Sequence, residues 1–372
     1  MELARQVVEQ ADQEHPADDV MRLVLRGEPG LDRDSSAAVA RLVFGYYRWL
    51  AWMEPGWTPS RQLEEALDLT TRFAREPDTF QEALLKRVVP EWIHQAMDVT
   101  PAWLRSLQTE PRLWLRARPG AAASVAAELL ECKEAWPERL PDALWFQGTQ
   151  DLFRTRPFHD GRFELQDLSS QMVGALCAPK PGESWWDVCA GEGGKTLHLA
   201  DQMANRGVVW ATDRAEWRLD RLRIRARRAE LFNIRWARWE GGMKTPGGVR
   251  FDGVLVDAPC SGVGTWQRNP HARWTLTAVD VAELAALQGR ILAAASTAVK
   301  PGGRLIYAVC TLTRAETVEV ARAFEANCPG FEPLPIDAAW RGTGEVSEAH
   351  HLWIRPEDRG GNGMFLATWR RK

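Results

Sequence analysis

Between residues 184 and 309 short apolar runs alternate with helical stretches, and this rhythm restricts the fold more than any other feature of the chain. The runs are Ser184-Trp-Trp-Asp-Val188, Val208-Val-Trp-Ala-Thr212, Ile234-Arg-Trp-Ala-Arg238, Val254-Leu-Val256 and Leu305-Ile-Tyr-Ala-Val309. Short runs rich in Val, Ile, Leu and Trp read as strands buried on both faces, as in parallel sheets. Helices are expected between them at about 194–204, 215–231 and 278–299. A strand-helix alternation of this kind predicts a doubly wound α/β sheet. Ligands of such sheets bind outside the carboxyl ends of the strands. Two of these strands lead into cysteines, Cys260 in Asp257-Ala-Pro-Cys-Ser-Gly262 and Cys310 in Tyr307-Ala-Val-Cys-Thr311. Two thiols delivered to that edge suggest a reaction that needs two sulfurs; the alternative is that both are small buried hydrophobes.

The chain of 372 residues is long for one core and suits two or three domains. Residues 1–108 read as helical: in Ser36–Leu50 the apolar Val39, Leu42, Val43, Tyr46 and Leu50 recur at three- and four-residue spacings, and further helices are expected near 60–74 and 78–88. Residues 109–164 change texture. Leu113–Arg118 alternates like a strand, Ala121–Lys133 reads as a helix, and Leu144-Trp-Phe146 and Arg162–Leu165 read as short strands, so a small α/β unit is expected before a third region, 165–372.

A net charge of -3 argues against indiscriminate binding to polyanions, so any nucleic acid must meet a local basic face. One candidate is the helix after Asp213, where Arg214, Arg218, Arg221, Arg225 and Arg228 recur at spacings of four and three; a merely solvated face is the competing explanation. No run approaches the roughly 18 apolar residues of a membrane span, and the opening residues Met1–Gln6 mix charges, so a cytoplasmic protein without a membrane partner is expected. The six cysteines form no Cys-x-x-Cys pair, so neither a metal site nor a disulfide framework is indicated.

The first strand runs into Asp187-Val-Cys189-Ala190-Gly191-Glu192-Gly193-Gly194-Lys195-Thr196. Gly-Lys-Thr resembles the end of a phosphate loop, but that loop needs a glycine where Cys189 stands, and the dinucleotide pattern Gly-x-Gly-x-x-Gly fails as well. What remains is an acid ending the first strand, a glycine turn that lets backbone approach a ligand, and a second acid, Asp213, ending the second strand, suited to accept both hydroxyls of a ribose. Without a pyrophosphate grip, the loop fits an adenosine ligand such as S-adenosylmethionine.

Taken together, Asp-Ala-Pro-Cys-Ser-Gly, the Cys-Thr block fifty residues on, and Asp187-x-Cys-Ala-x-x-Gly-Gly-Lys-Thr resemble the RNA cytosine-5 methyltransferases of the Fmu/Sun/RsmB type. Leu165-Gln-Asp-Leu-Ser-Ser-Gln171 resembles that family's opening segment, Arg268-Asn-Pro-His-Ala-Arg-Trp274 its loop after the first cysteine, and Gly361-Asn-Gly-Met-Phe365 the start of its last strand. Upstream, Arg41–Arg48 is similar to the NusB-like helical domain of many members, and the small unit would be RRM-like. The resemblance implies a class I methyltransferase domain over 165–372, S-adenosylmethionine as cofactor, and a monomer acting on structured RNA, ribosomal RNA first and transfer RNA as the alternative. It assigns Cys189, Ala190, Gly191, Gly193, Gly194, Lys195, Asp213, Arg218, Glu240 and Asp257 to the cofactor.

The chemistry explains the two thiols. Carbon 5 of cytosine is a poor nucleophile, so a thiolate adds at carbon 6 to create an enamine that takes the methyl group, after which the carbon-5 proton leaves and the sulfur is expelled. The resemblance implies that Cys310 attacks and Cys260 assists release, while Asp257 hydrogen-bonds the cytosine edge and Lys195 helps hold it. A thiol of ordinary pKa near 8.5 is only a few per cent thiolate at neutral pH, so Cys310 needs a polar or positive setting. The chain departs from the family pattern at Gly191-Glu192, where Ala-Pro is usual, at Val309 for Thr, at Glu240 for Asp and at His271 for Asp. Three other classes compete: a DNA cytosine-5 methyltransferase, which would attack with Cys260 and not need Cys310; an amino-group methyltransferase, whose Asp-Pro-Pro-aromatic motif has an aromatic that Asp257-Ala-Pro-Cys260 lacks; and a non-catalytic RNA-binding assembly factor on the same fold.

Overall fold

The computed structural model describes residues 1–242, 245–341 and 348–372. The chain divides into two compact units, one of residues 1–111 and 262–281 and the other of 112–261 and 282–372. The first is a helical unit built on helices Glu2–Gln10, Ala17–Arg26, Arg33–Trp49 and Pro59–Arg75. Their starts are chemically marked: Asp32 accepts from the Ser35 amide, and Thr58 accepts from Arg61 ahead of a proline at the first turn. Val39 and Val43 of the expected stripe are buried against Ala4, Val7, Val20 and Leu63, but Tyr47 is buried in place of Tyr46, and Leu42, Tyr46 and Leu50 are only partly buried at the edge of this core. The inserted segment 262–281 belongs to this core. Trp266 stacks on Trp103, the buried Arg273 guanidinium caps the carbonyls of Val88 and Leu107, and the Trp274 ring nitrogen donates to the Tyr47 carbonyl.

The second unit opens with a small antiparallel sheet of β1 (Leu113–Ala117), β2 (Cys132–Trp136), β3 (Leu140–Phe146) and β4 (Phe163–Leu165), in the order β2-β3-β1-β4. With helix Ala122–Leu129 between β1 and β2 and short helical turns between β3 and β4, this is the split βαβ arrangement. The helix expected to reach Lys133 stops at Leu129, because Leu130 turns to φ +61° and Cys132 then pairs with Phe146 in the sheet. One sheet face packs Leu115, Leu144 and Phe146 against the helix. The other is closed as well: Trp114 donates to the Gly360 carbonyl, and Arg116, 3% exposed, pairs with Asp201 at 2.5 Å and Gln166 at 2.6 Å.

The larger sheet contains β5 (Ser184–Asp187), β6 (Val208–Asp213), β7 (Ile234–Arg238), β8 (Phe251–Asp257), β9 (Val299–Val309), β10 (Phe331–Pro333), β11 (His351–Ile354) and β12 (Met364–Arg371). Its order is β10-β12-β9-β8-β5-β6-β7, with β11 also paired to β12. The five strands read from the sequence are parallel neighbours, with helices at Gly194–Gln202, Glu216–Arg228 and Ala278–Ser296. The sheet as a whole is mixed, because β12 runs antiparallel to β9 and carries β10 and β11 with it. The connection from β9 to β12 is long and carries β10, β11 and helical turns, so the reversed direction of β12 is set by its pairing and not by a tight turn. Apolar cores fill both faces, with Trp185 on one and Trp186, Tyr307 and Trp369 on the other. Among the described residues, no helix is long and apolar enough to cross a membrane.

Candidate active site

The glycine turn forms where β5 ends. The Ala190 amide donates to the Thr212 carbonyl at 2.8 Å, stitching the turn to β6. Gly193 adopts φ +87°, and a Cβ there would lie 2.5 Å from Leu222 Cγ, so the position requires glycine on both counts. At Gly191, φ +54°, a Cβ would meet nothing within 4 Å, which leaves that side of the turn open to a ligand. Asp213 braces the turn: Oδ2 accepts from the Gly191 amide at 3.0 Å and Oδ1 from Ala215 at 2.8 Å. An ionised carboxylate has about four lone-pair positions, so Asp213 keeps acceptor capacity for a diol.

Asp187, 1% exposed, accepts from Thr196 Oγ1 at 2.6 Å through Oδ2, while Oδ1 has no hydrogen-bond partner among the described residues. Burial raises its pKa to about 7, with the Asp257 and Asp213 charges adding to the rise and Thr196 and Lys195 opposing it. A buried carboxylate oxygen without a donor is costly, and a ligand ammonium would satisfy it. An open glycine turn flanked by Asp187 and Asp213 therefore fits a ligand that carries both an amino-acid ammonium and a ribose diol, as S-adenosylmethionine does.

The two sulfurs meet beyond the neighbouring strand ends. Parallel pairing places Asp257 beside Ala308, and the Ala258 amide donates to the Ala308 carbonyl, so the turns leaving β8 and β9 stay in register. Cys260 Sγ and Cys310 Sγ lie 3.2 Å apart and both side chains are half-buried. Lys195, first turn of the helix after the glycine loop, donates to Asp257 Oδ2 at 2.7 Å. Burial works to lower the Lys195 pKa, but the charge and hydrogen bond of Asp257, with Cys310 and Asp187 adding to them, leave it raised, so the group is a firm cation beside Cys310. Burial pushes the thiols of Cys177, Cys189 and Cys328 up and that of Cys132 to about 11.

Glu316 holds the two cysteine turns together, and no sequence pattern pointed to it. Fully buried, it accepts from the Ser261 amide at 2.8 Å, Gln288 Nε2 at 3.0 Å, Ser261 Oγ at 2.5 Å, Thr311 Oγ1 at 3.0 Å and Thr313 Oγ1 at 2.8 Å. Ser261 and Thr311, each the residue after a cysteine, also bond one another at 2.8 Å. Tyr307 extends the network, its one hydroxyl hydrogen shared between the Glu316 carbonyl at 2.6 Å and Gln288 Oε1 at 2.9 Å, and Gln288 Nε2 donates to the Pro259 carbonyl. Both cysteine turns are thereby tied to one carboxylate. The available signal was the hydroxyl residue after each candidate thiol, since two hydroxyls buried at strand ends need an acceptor.

Not every expected residue joins this cluster. Asp257 and Lys195 stand with the cysteines, and Cys189 through Gly194 form the turn. Glu240 is exposed beyond β7, paired with Arg238 at 2.5 Å, and Arg218 is exposed with its guanidinium over Trp217. The arginine stripe is partly neutralised: Arg225 and Arg228 pair with the buried Glu164, and Arg221 with Glu192. The opening segment and the last strand's start, distant in sequence, bond directly. The Asn362 amide donates to Asp167 at 3.0 Å and Ser169 Oγ to the Asn362 carbonyl at 2.7 Å.

Comparison with known proteins gives a consistent result. Residues 174–370 match the family described as 16S rRNA methyltransferase RsmB/F. A Synechocystis protein named probable ribosomal RNA small subunit methyltransferase B is 33% identical over 296 residues, 75% of this chain; the match spans 66% of that relative's length, just under two thirds. Among solved structures, the protein PH0851 superposes with a TM-score of 0.79 at 22% identity, covering 99% of this chain and 97% of its own. A methyltransferase homolog protein from Pyrococcus horikoshii gives 0.65 at 26% identity over 73% of this chain and 90% of its own.

Proposed function

The chain belongs to the RsmB/F family of S-adenosylmethionine-dependent RNA cytosine-5 methyltransferases, and we propose that it methylates carbon 5 of a cytosine in ribosomal RNA through a covalent bond to Cys310. The observation that carries this reading is the pair of sulfurs 3.2 Å apart beside the Lys195–Asp257 ion pair. A structural cysteine pair has no use for a buried ammonium. A reacting thiol does, because a neighbouring cation favours the thiolate.

When bound, S-adenosylmethionine supplies an electrophilic methyl group. Asp187 Oδ1 would accept its ammonium and Asp213 its ribose hydroxyls, with the open side of Gly191 admitting the remainder. Asp257 sits at the level of the cytosine edge and stabilises charge developing on the ring, with Lys195 as its counter-ion. The Cys310 thiolate adds to carbon 6 and carbon 5 takes the methyl group. Cys260, 3.2 Å from Cys310, then assists release by taking the carbon-5 proton; the electron pair left behind restores the carbon 5–carbon 6 double bond as the carbon-sulfur bond breaks and Cys310 departs as thiolate. Glu316 is a positioning residue that fixes both sulfurs. Arg218, on the helix Glu216–Arg228, and Glu240, beyond β7, have a weaker place in this scheme, since both are exposed.

Residues 1–108 are proposed as the NusB-like domain, 109–164 as an RRM-like RNA-binding unit and 165–372 as the catalytic domain. The strand order β2-β3-β1-β4 supports the second assignment. Its sheet face is closed by Trp114 and Arg116, so any RNA contact by this unit uses its edges and loops rather than stacking across the sheet. The test is direct: incubate the protein with methyl-labelled cofactor and unmodified small-subunit ribosomal RNA, digest to nucleosides, and look for labelled 5-methylcytidine. Label in another nucleoside, or in transfer RNA only, contradicts the proposal.

A further inference from the structure

Two segments singled out in the sequence, Arg41–Arg48 and the loop Arg268–Trp274, have no part in the methyl-transfer chemistry, yet both lie in the helical unit and line one cavity. The cavity, about 520 Å³, is bordered by Asp18, Arg41, Phe44, Arg48, Glu110 and Arg268. Arg48 is 4% exposed and makes no hydrogen bond or ion pair with any described residue, and its Nε is fully buried without an acceptor. Burial lowers its pKa, against which Glu110 gives some opposing charge without coming within ion-pair range. Behind it, Arg273 is held by two backbone carbonyls and no carboxylate, and burial together with the Arg48 charge brings its pKa down to about 9. The unit therefore encloses two guanidiniums that repel each other. Buried charges are normally paired, and leaving one unpaired is strongly destabilising. Such an arrangement persists where an anion outside the protein completes it.

We propose that the cavity lined by Arg41, Arg48 and Arg268 binds a phosphate of the RNA backbone. Guanidinium forks match phosphate oxygens in paired hydrogen bonds, and the volume exceeds what one phosphate group needs, leaving room for the adjoining sugar. Asp18 and Glu110 on the rim limit the site to one phosphodiester rather than a dianionic cluster, because each further negative charge would face them. The inference deepens the ribosomal RNA reading and rests on it for the identity of the ligand, although not on the cysteine chemistry.

The test uses the full chain and its Arg48→Met variant, with protein-free small-subunit ribosomal RNA as one probe and inorganic phosphate as the other. Removing a guanidinium that has no partner in the free protein is expected to raise the unfolding temperature while weakening RNA binding about tenfold or more. Loss of one phosphate contact also reduces the slope of log K against log salt by about 0.7–0.9. The exposed Arg41→Gln, which has little effect on folding, is expected to weaken RNA binding in the same direction. Affinity for S-adenosylhomocysteine, bound in the other unit, checks that each variant is intact. Unchanged RNA affinity and salt slope in both variants overturn the proposal, as does a fall in unfolding temperature with Arg48→Met, which would make Arg48 a packing residue. Stabilisation of the wild type by inorganic phosphate with no difference in RNA binding shows a free-anion site and also overturns it. Failure of the methyl-transfer reading is distinguishable, since wild type would then bind RNA with the expected salt slope yet form no 5-methylcytidine.

Discussion

Replacing Glu316 with alanine removes the acceptor that joins the two cysteine turns. The Ser261 and Thr311 hydroxyls still have each other, at 2.8 Å, and Gln288 keeps the Pro259 carbonyl. Three buried donors do not: the Ser261 amide, the second Gln288 amide hydrogen and the Thr313 hydroxyl lose their acceptor. Each orphaned buried donor costs about 1–3 kcal/mol, so Glu316→Ala is expected to destabilise the catalytic unit by about 3–9 kcal/mol. For a unit of this size that is a drop in unfolding temperature on the order of 10 °C. Glu316→Gln keeps one acceptor oxygen for the two N–H donors and lets the hydroxyls of Ser261, Thr311 and Thr313 rotate to receive the new amide, so its cost is about 1 kcal/mol. Differential scanning calorimetry gives the stability, and the rate at which Cys310 bonds to RNA gives the function. The glutamine variant is expected to fold and to form the adduct about tenfold more slowly, because a loosened Ser261 turn lets the sulfurs separate, and about 1.4 kcal/mol of lost positioning is a factor of ten. An alanine variant that melts with wild type and forms adduct at the wild-type rate refutes the role given to Glu316.

Lys195→Met is expected to slow alkylation of Cys310 by iodoacetamide at pH 7 about tenfold, whereas Lys195→Arg retains most of the rate; equal rates in all three proteins remove Lys195 from thiol activation. The Asp187 pKa, raised to about 7 in the folded protein, makes two pH predictions. A carboxyl raised on folding contributes stability that is complete below its unfolded pKa near 3.9 and lost as pH rises through 7, so Asp187→Asn should melt progressively higher than wild type as pH rises across that window, measured without cofactor. If Asp187 accepts the cofactor ammonium it must ionise to do so, and calorimetric affinity for S-adenosylhomocysteine should fall up to about tenfold for each pH unit below 7; a flat profile removes Asp187 from that role. Cys260 and Cys310 need to close little more than 1 Å to reach a disulfide bond length of about 2 Å. Stoichiometric peroxide is therefore expected to convert the two thiols to a disulfide and two waters, seen as a mass lower by two hydrogen atoms in the peptide pair, and separate sulfinic acids on each cysteine would contradict the observed proximity.

The parallel core of the fold was legible because its strands are apolar and its helices periodic, and both signals are local. Each of the five strands expected between 184 and 309 lies within two residues of its observed end at the carboxyl edge, where the chemistry is. The antiparallel edge was harder to read. β10 and β11 are three and four residues long, and what makes them strands is pairing with β12, a tertiary fact. The same cause cut short the helix expected through Lys133, where pairing of Cys132 with Phe146 outweighed a helical composition. At the site, residues adjacent to a motif were found from the motif: Cys260, Asp257, Lys195 and Cys310 come together as the strand ends suggested. Glu316 and Gln288 were not, since nothing in Thr313-Arg-Ala-Glu-Thr317 distinguishes a buried acceptor from a surface acid. The arginine stripe after Asp213 was plain in sequence, but its partner Glu164 lies in another strand, 61 residues before Arg225, so its partial neutralisation was not.

The central claim is the unequal work of two sulfurs in contact, and trapping the protein-RNA bond tests it most directly. Wild type, Cys260→Ala and Cys310→Ala are incubated with small-subunit ribosomal RNA and S-adenosylmethionine and resolved under denaturing conditions. The account predicts a persistent adduct with Cys260→Ala, which attacks but releases poorly, and none with Cys310→Ala. An adduct that persists in Cys310→Ala and vanishes in Cys260→Ala would assign the attack to the other sulfur and contradict the account.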